Sequence, residues 1–192
     1  EENGVAPDDG EGVVTGASGG AGSMGVTLLS ALDYDVVAST GSDDAHSYLR
    51  ARGADRIVGR SAFEEGPGRP MEAGKWAGAL DAVGGKTLAA IISQLERHGC
   101  VTSFGNAAGH ELETSVFPFI LRGVSLLGID SNTCPDARRR RAWRRLGAIL
   151  STSDFEEMTA RTIALDDVPE ASRELLSEGV RGRIVVDVQG DE

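Results

Sequence analysis

Residues 13–22 read VVTGASGGAG, and an apolar run with helical spacing follows them from residue 24 to 32. This order predicts a short strand, a glycine-rich turn and a helix. Glycines at positions 16, 19 and 22 permit a tight turn and let backbone amides approach a phosphate, which the positive end of the helix dipole also attracts. The stretch therefore predicts a strand-to-helix turn that holds the pyrophosphate of a dinucleotide.

The same turn has two other interpretations. Its spacing is Gly-x-x-Gly-x-x-Gly rather than the standard Gly-x-Gly-x-x-Gly, so a glycine turn without a ligand is one alternative. Residues 16–20 also satisfy Gly-x-Ser-x-Gly, the nucleophile elbow of α/β-hydrolases. An elbow normally follows several strands and an oxyanion loop, and the residues before this turn contain nothing like an HGGG-type loop. We therefore favour the nucleotide-binding turn.

Charge and composition exclude several classes of protein. The net charge is −11, which disfavours binding to nucleic acid. The apolar runs are too short to span a bilayer and no signal-peptide pattern is present, so we expect a cytoplasmic protein that does not bind membranes. Cys100 and Cys134 lie far apart and are expected to be reduced thiols. His46, His98 and His110 are scattered along the chain, which predicts no metal site.

Strands and helices alternate regularly after the glycine turn. Further strands are predicted at residues 34–39, 56–58, 76–83, 100–104 and 124–129, with helices at 43–52 and 87–97. This alternation predicts an α/β fold, a doubly wound Rossmann sheet of six parallel strands with helices on both faces.

The pattern changes after Asp130. The segments predicted there are a helix at 136–150, a strand at 162–165, a helix at 169–177 and a strand at 183–188. We place the nucleotide-binding domain at residues 1–150 and a C-terminal segment at 151–192, which is too small to form its own core. This segment is expected to pack on something else.

Several stretches resemble one known family. They are residues 14–23 (VTGASGGAGS), 53–58 (GADRIV), 76–84 (WAGALDAVG) and 116–131 (VFPFILRGVSLLGIDS). They are similar to the cofactor domain and C-terminal tail of zinc-free medium-chain dehydrogenases/reductases, in the quinone-oxidoreductase-like branch that contains acryloyl-CoA reductases. The N-terminal GroES-like catalytic domain of that family has no counterpart in these residues. The resemblance thus implies the back part of a longer enzyme, with the tail packing on the absent domain.

The resemblance also implies an activity and a set of site residues. The activity is zinc-independent, NADPH-dependent reduction of an activated C=C bond in acryloyl-CoA, an enone or a quinone, by a homodimer paired through the sixth strand. The implied pyrophosphate residues are Ser18, Gly19, Gly20 and Ala21, with Gly22 allowing close helix packing. The implied ribose and phosphate residues are Thr40, Gly41, Ser42 and Arg56, and those at the nicotinamide are Asn106, Ile120 and Ser131. The catalytic residues stay unassigned.

The cofactor preference depends on the end of the second strand. Family members usually have an arginine at position 42, where this chain has serine, and Asp43 and Asp44 follow it. Arginine grips a phosphate through two donors and serine cannot. No acidic residue ends the strand itself to bind a free ribose 2′-hydroxyl, so NADP(H) is favoured, with Arg56 as the phosphate ligand and NAD(H) as the alternative.

Other residues keep two interpretations. The arginines between positions 138 and 145 are expected on a solvated helix face, with Trp143, Leu146, Ile149 and Leu150 as its buried stripe; a contact with coenzyme A phosphates is the alternative. Asp81 either faces the cofactor or caps loop amides. For the whole chain, the alternative to an oxidoreductase is a non-catalytic nucleotide-binding or redox-sensing module.

Overall fold

The computed structural model describes residues 4–177 and 180–189 and contains one six-stranded sheet and one two-stranded sheet in that part of the chain. The strands of the large sheet are β1 (Gly12–Val14), β2 (Val36–Thr40), β3 (Arg56–Gly59), β4 (Trp76–Asp81), β5 (Leu95–Ser103) and β6 (Ser125–Gly128). They are all parallel and lie in the order β3-β2-β1-β4-β5-β6. The predicted Rossmann sheet is confirmed, and its strand order reverses between β1 and β4.

Helices connect these strands and continue into the C-terminal segment. They are α1 (Gly20–Ser30), α2 (His46–Ala51), α3 (Gly85–Gln94), α4 (Phe117–Arg122), α5 (Asp136–Ile149), α6 (Thr152–Met158) and α7 (Val168–Leu176). The small sheet pairs β7 (Thr159–Ala164) with β8 (Arg183–Asp187) in parallel.

Two apolar clusters form the core of the large sheet. One contains Val14, Val26, Val36 and Leu49 and joins β1 and β2 to α1 and α2. The other contains Val13, Trp76, Ile91, Leu95 and Val101 and includes α3. Val13 and Val14 belong to different clusters because successive side chains of a strand point to opposite faces. Strands buried on both faces read as continuous apolar runs, which is why β1 and β2 were recognisable in the sequence.

Several predicted boundaries move in the structure. The helix α1 begins at Gly20 rather than at residue 24, with Ser23 N donating to Gly19 O over 2.9 Å in its first turn. The helix predicted at 43–52 is divided into a 3₁₀ turn, Asp43–Ala45, and α2, and the Ser42 side chain does not cap it. The strand β5 begins at Leu95, five residues before its predicted start at residue 100, because α3 ends at Gln94 rather than at residue 97.

Two short helices were not predicted from the sequence. The helix α4 has six residues, with Pro118 near its start and Gly123 at φ 65° after its end. The helix α6 has seven residues and begins with a capping box between Ser151 and Asp154. Segments this short carry little periodicity, so their caps were the only available signals.

The expected buried stripe of α5 is wrong for Trp143. That side chain is 61% exposed, Leu146 and Ile149 are half-buried, and of the four only Leu150 is buried. No residue of α5 itself is buried. The helix has the spacing of an amphipathic helix, but the described residues provide no surface that covers its apolar side.

The C-terminal segment contacts the outer side of the large sheet's helices. The helix α6 packs against α1, and Met158 at its end is buried, with its sulfur 3.9 Å from Thr27 Oγ1. Arg52 at the end of α2 forms an ion pair with Glu157. Beyond β7 and α7, Gly182 N donates to Ser18 O over 3.0 Å. The segment therefore reaches the glycine turn itself.

Candidate dinucleotide-binding site

A cavity of about 370 Å³ opens at the C-terminal ends of β1 and β2. Its walls come from the glycine turn, the end of β2, the loops after β3, β4 and β5, and the C-terminal segment. The lining residues are Thr15, Gly16, Ser18, Gly19, Gly20, Ala21, Gly22, Ser39, Thr40, Gly41, Ser42, Arg60, Ala82, Val83, Thr87, Ala107, Ala108, Leu175, Val180 and Gly182. Doubly wound sheets bind their ligands at this edge, beside the point where strand order reverses.

The glycine turn needs its glycines for two different reasons. Gly16 has φ +57°, a left-handed conformation, and its carbonyl accepts from Gly19 N over 3.0 Å. A Cβ on Gly22 would collide with Gly16 O and lie 2.7 Å from Ala17 Cα. The turn and α1 thus pack backbone to backbone, which leaves the first amides of α1 facing the cavity, where a helix has no internal partners for them.

The four residues expected at the pyrophosphate line this cavity, together with Gly22, which was expected to allow close helix packing. Ser18, Gly19, Gly20, Ala21 and Gly22 form its turn. Their arrangement fits a pyrophosphate because a helix N-terminus supplies amide donors and the positive end of the helix dipole.

The C-terminal segment supplies a wall of the cavity that was not predicted from the sequence. Gly182 forms a bridge with Gly19, and a Cβ on Gly20 would lie 2.9 Å from Arg183 Cγ. The Arg183 side chain therefore crosses the glycine turn. The sequence predicted the last strand from residue 183, but nothing local indicated that this strand begins beside residue 20.

The residues expected at the ribose lie together at the end of β2. Thr40 Oγ1 is hydrogen-bonded to Ser18 Oγ over 3.2 Å and accepts from Ser42 N over 3.2 Å. Arg60, in the turn that follows β3, places its guanidinium directly against Gly41, where a Cβ would collide with it. Arg60 Nε also lies 3.5 Å from Glu64 Oε1. Arg60 is thus the arginine at this end of the cavity.

Arg56 does not reach the site, so its expected role as a phosphate ligand is corrected. It is the first residue of β3, about 10 Å along the strand from the edge where the cavity opens. Its Nε donates to Glu11 Oε1 over 2.8 Å, and its guanidinium carbon lies 5.6 Å from the centre of the Trp76 ring. The hydrogen bond to Glu11 raises the pKa of Arg56. Arg56 therefore contacts residues at the N-terminal ends of the strands, at the edge of the sheet opposite to the one where the cavity opens.

Asp81 caps loop amides, which was one of its two interpretations. The side chain is fully buried and accepts from Thr15 Oγ1 over 2.7 Å and from Gly84 N over 2.9 Å. Thr15 Oγ1 in turn accepts from Ala82 N over 3.0 Å. This network ties the end of β1 to the loop after β4. It fixes the cavity wall without adding a carboxylate to the cavity lining.

The three residues expected at the nicotinamide are not brought together. Asn106 lines a second, open cavity of about 580 Å³ at the ends of β5 and β6. Ile120 on α4 is 68% exposed and borders neither cavity. Ser131 is exposed, and its carbonyl accepts from Arg139 Nη2 over 2.7 Å. The loop that carries Asn106 also contributes Ala107 and Ala108 to the first cavity, so it connects the two cavities.

Three further features concern metal binding, membrane spans and disulfides. Among residues 4–177 and 180–189, no group of three or more His, Cys, Asp or Glu side chains is placed to hold a metal ion. Within the same residues no helix is long and apolar enough to cross a membrane. Neither Cys100 nor Cys134 is in a disulfide.

The sequence model of the family described as zinc-binding dehydrogenase matches residues 20–151, more than half of the chain. The chain belongs to the zinc-binding dehydrogenase family. The match begins in the glycine turn and ends just after α5, so it covers most of the large sheet.

Individual relatives extend the similarity into the C-terminal segment. The acrylyl-CoA reductase AcuI of Ruegeria pomeroyi is 43% identical over 188 residues, which cover 98% of this chain and 57% of AcuI. The yhdH oxidoreductase of Salmonella enterica, solved in complex with NADP, is 44% identical with a TM-score of 0.94 and is matched over 97% of this chain and 57% of its own.

A third relative was solved with the other dinucleotide. The Bacillus subtilis protein YhfP, provisionally named a quinone oxidoreductase, has a structure with NAD bound that is 39% identical with a TM-score of 0.92. The match covers 97% of this chain and 57% of that one. This chain therefore spans somewhat more than half the length of these relatives.

Proposed function

We propose that this chain is the cofactor-binding part of an NAD(P)H-dependent oxidoreductase that reduces an activated C=C bond. The observation that carries the proposal is the cavity formed by the glycine turn, the end of β2 and the C-terminal segment. Its amides and its glycines suit a pyrophosphate, and the Arg183 side chain lies beside them against Gly20. The bound nicotinamide would supply the hydride, while the protein positions it and excludes water.

Ser18, Gly19, Gly20 and Ala21 would hold the pyrophosphate, and Thr40, Gly41 and Ser42 the adenosine ribose. Arg60 is proposed as the partner of a ribose 2′-phosphate, because its guanidinium packs on Gly41 at this end of the cavity. Its fork of donors matches the geometry of a phosphate. NADPH is therefore the proposed cofactor, with NADH as the alternative.

The cofactor proposal is tested by fluorescence titration of this chain with NADPH and NADH. We expect tighter binding of NADPH. Arg60→Ala should weaken NADPH binding by about tenfold or more, the worth of a charged hydrogen bond, and leave NADH binding unchanged. Arg140→Ala, which removes the same charge from an exposed position on α5, is the matched control. Stronger binding of NADH, or equal losses for both cofactors in Arg60→Ala, would contradict the proposal.

The reaction is proposed from the relatives, which include an acrylyl-CoA reductase and a provisional quinone oxidoreductase. Small molecules with an activated double bond, CoA thioesters among them, are the proposed substrates, and the chemistry needs no metal. Residues 151–192 would also contact the part of the enzyme that these 192 residues do not include. NADPH oxidation by the whole polypeptide should be faster with acrylyl-CoA than with a quinone. Binding without turnover of either substrate would favour the non-catalytic module.

Two further properties are proposed. A homodimer paired through β6 is supported by its position at the edge of the sheet and by exposed apolar side chains on the adjacent α4 and at Ile129. Light scattering should give twice the chain mass, and Leu127→Lys should reduce it to that of a monomer. A cytoplasmic location is supported by Cys100 and Cys134, which form no disulfide.

A further inference from the structure

A short part of the C-terminal segment crosses the adenosine side of the cavity. Residues 180–183, here called the strap, contribute Val180 and Gly182 to the cavity lining. Gly182 N donates to Ser18 O in the glycine turn over 3.0 Å. The strap is therefore attached directly to the pyrophosphate end of the site.

A second attachment lies at the ribose end. Arg181 Nη1 donates to Asp44 O over 2.9 Å, and Arg181 Nη2 lies 3.7 Å from Asp44 Oδ2. Asp44 belongs to the 3₁₀ turn Asp43–Ala45, which begins immediately after Ser42. Because Ser42 lines the cavity, Arg181 holds both the backbone and the carboxylate of a turn that borders the site.

The charges near this turn explain how the contact between Arg181 and Asp44 affects the cofactor site. Asp43 and Asp44 follow a serine that brings no positive charge. Asp43 Oδ1 lies 3.7 Å from His46 Nε2, and Arg60 is itself 3.5 Å from Glu64. The carboxylates of Asp43, Asp44 and Glu64 are therefore carried by segments that border the end of the cavity proposed for a 2′-phosphate, and their negative charge would disfavour it. Arg181 places a positive charge beside Asp44.

We propose that Arg181 is a specificity-determining residue that favours a 2′-phosphorylated dinucleotide by offsetting the charge of Asp44 and fixing its turn. The proposal rests on the proposed function, since it assumes that the cavity binds a dinucleotide. Arg181 acts through Asp44 and is therefore a positioning residue. It makes the strap part of cofactor selection as well as a wall of the cavity.

The expected size of the effect on NADPH binding depends on how exposed the Arg181 and Asp44 side chains are to solvent. The two side chains are 49% and 74% exposed, so water and salt screen their field. Arg181 does not line the cavity, so its charge acts on the phosphate without direct contact and should change phosphate binding by roughly three- to tenfold at low salt. NADH has no 2′-phosphate and should be almost insensitive to the same charge.

The test is a double-mutant cycle on this chain, with NADPH and NADH titrated at low and high salt. Arg181→Ala should weaken NADPH binding by about three- to tenfold at low salt and by less at high salt, with NADH affinity changed by less than about twofold. Adding Asp44→Asn to Arg181→Ala should restore NADPH binding, and Arg181→Lys should keep most of it. Arg140→Ala again controls for total charge.

The outcomes separate this proposal from the proposed function. If the unmodified chain prefers NADPH but Arg181→Ala changes neither cofactor, weakens both equally or is not rescued by Asp44→Asn, the role of Arg181 is overturned and the cofactor site stands. If the unmodified chain binds neither dinucleotide, both proposals fail. Unfolding curves of each variant report any loss of folding independently of binding.

Discussion

The two tryptophans of this chain lie in opposite environments. Trp76 begins β4 and is fully buried, with its Nε1 donating to Gln94 Oε1 over 3.0 Å and its ring 6.2 Å from that of Phe63. Trp143 on α5 is 61% exposed. The difference reflects the two regions: residues of the large sheet bury one another, whereas the helix that follows has nothing in the described residues to cover it.

The contrast extends to the C-terminal segment. Leu165, Leu175, Leu176 and Val188 are all more than half exposed, while Met158 is one of few buried side chains there. The large sheet therefore contains its own core, and the C-terminal segment depends on a small number of anchors. The candidate site lies where these regions meet, because Gly182 reaches Ser18.

The largest effect is expected from the buried tryptophan. Trp76→Ala should lower the free energy of unfolding by about 3–5 kcal/mol, since it removes a large buried ring and leaves a cavity. Trp143→Ala, its matched control, should change it by less than about 0.5 kcal/mol. Urea unfolding followed by circular dichroism measures both. Equal losses would show that α5 has a buried partner, and the difference between the environments of Trp76 and Trp143 would then be wrong.

The anchor of the C-terminal segment comes next. Met158→Ala should cost about 2–4 kcal/mol, because the side chain is 1% exposed beside α1. Leu176→Ala, 87% exposed, is the control and should be close to neutral. Hydrogen exchange would show whether the loss is confined to α6, β7 and β8. Unchanged exchange in these elements would mean that Met158 is not their anchor.

Two helical glycines, Gly22 in α1 and Gly147 in α5, extend the comparison between the large sheet and α5. Gly22→Ala should destabilise by about 1–3 kcal/mol and abolish NADPH binding, because its Cβ would collide with Gly16. Gly147→Ala in α5 meets no atom within 4 Å and should instead stabilise by about 0.5–1 kcal/mol. Thermal unfolding and cofactor titration measure the two effects. Retained binding in Gly22→Ala would place the pyrophosphate elsewhere.

The smallest effect is expected at the start of α6. Ser151→Ala removes the cap of that helix and should cost about 0.5–2 kcal/mol. The Ser151 hydroxyl also lowers the pKa of Asp154 from its usual 3.8. The lowered pKa stabilises the folded state above about pH 3.8, and this contribution is lost as the pH falls further.

Carboxyl NMR of Asp154 tests this capping box directly. In Ser151→Ala its pKa should rise towards 3.8, while Thr152→Ala should leave it where it is. An unchanged pKa in Ser151→Ala would remove the hydroxyl as the cause.

The large sheet was predictable because its signals are local. Apolar runs such as Val36 to Ser39 mark strands buried on both faces, and glycine spacing marks the first turn. The short helices α4 and α6 were missed because one or two turns give no clear period. The exposure of Trp143 could not be read from α5, since periodicity shows which side chains share a face but not whether anything covers it.

The site was predictable where sequence neighbours form it and not where distant segments meet. Ser18 to Gly22 are contiguous and line the cavity together. Arg56 was expected at the phosphate, but ligands bind at strand ends, and Arg56 begins its strand while Arg60 follows it. Arg181 and Arg183 come from a segment more than a hundred residues away, so no local pattern predicted their position.

The most direct test of the dinucleotide site is a crystal structure of this chain grown with NADPH. We predict the pyrophosphate at the first amides of α1 beside Arg183, and the 2′-phosphate within hydrogen-bond distance of Arg60, with Arg56 still bound to Glu11. A cofactor whose 2′-phosphate contacts Arg56, or whose pyrophosphate lies away from Ser18 to Ala21, would contradict it.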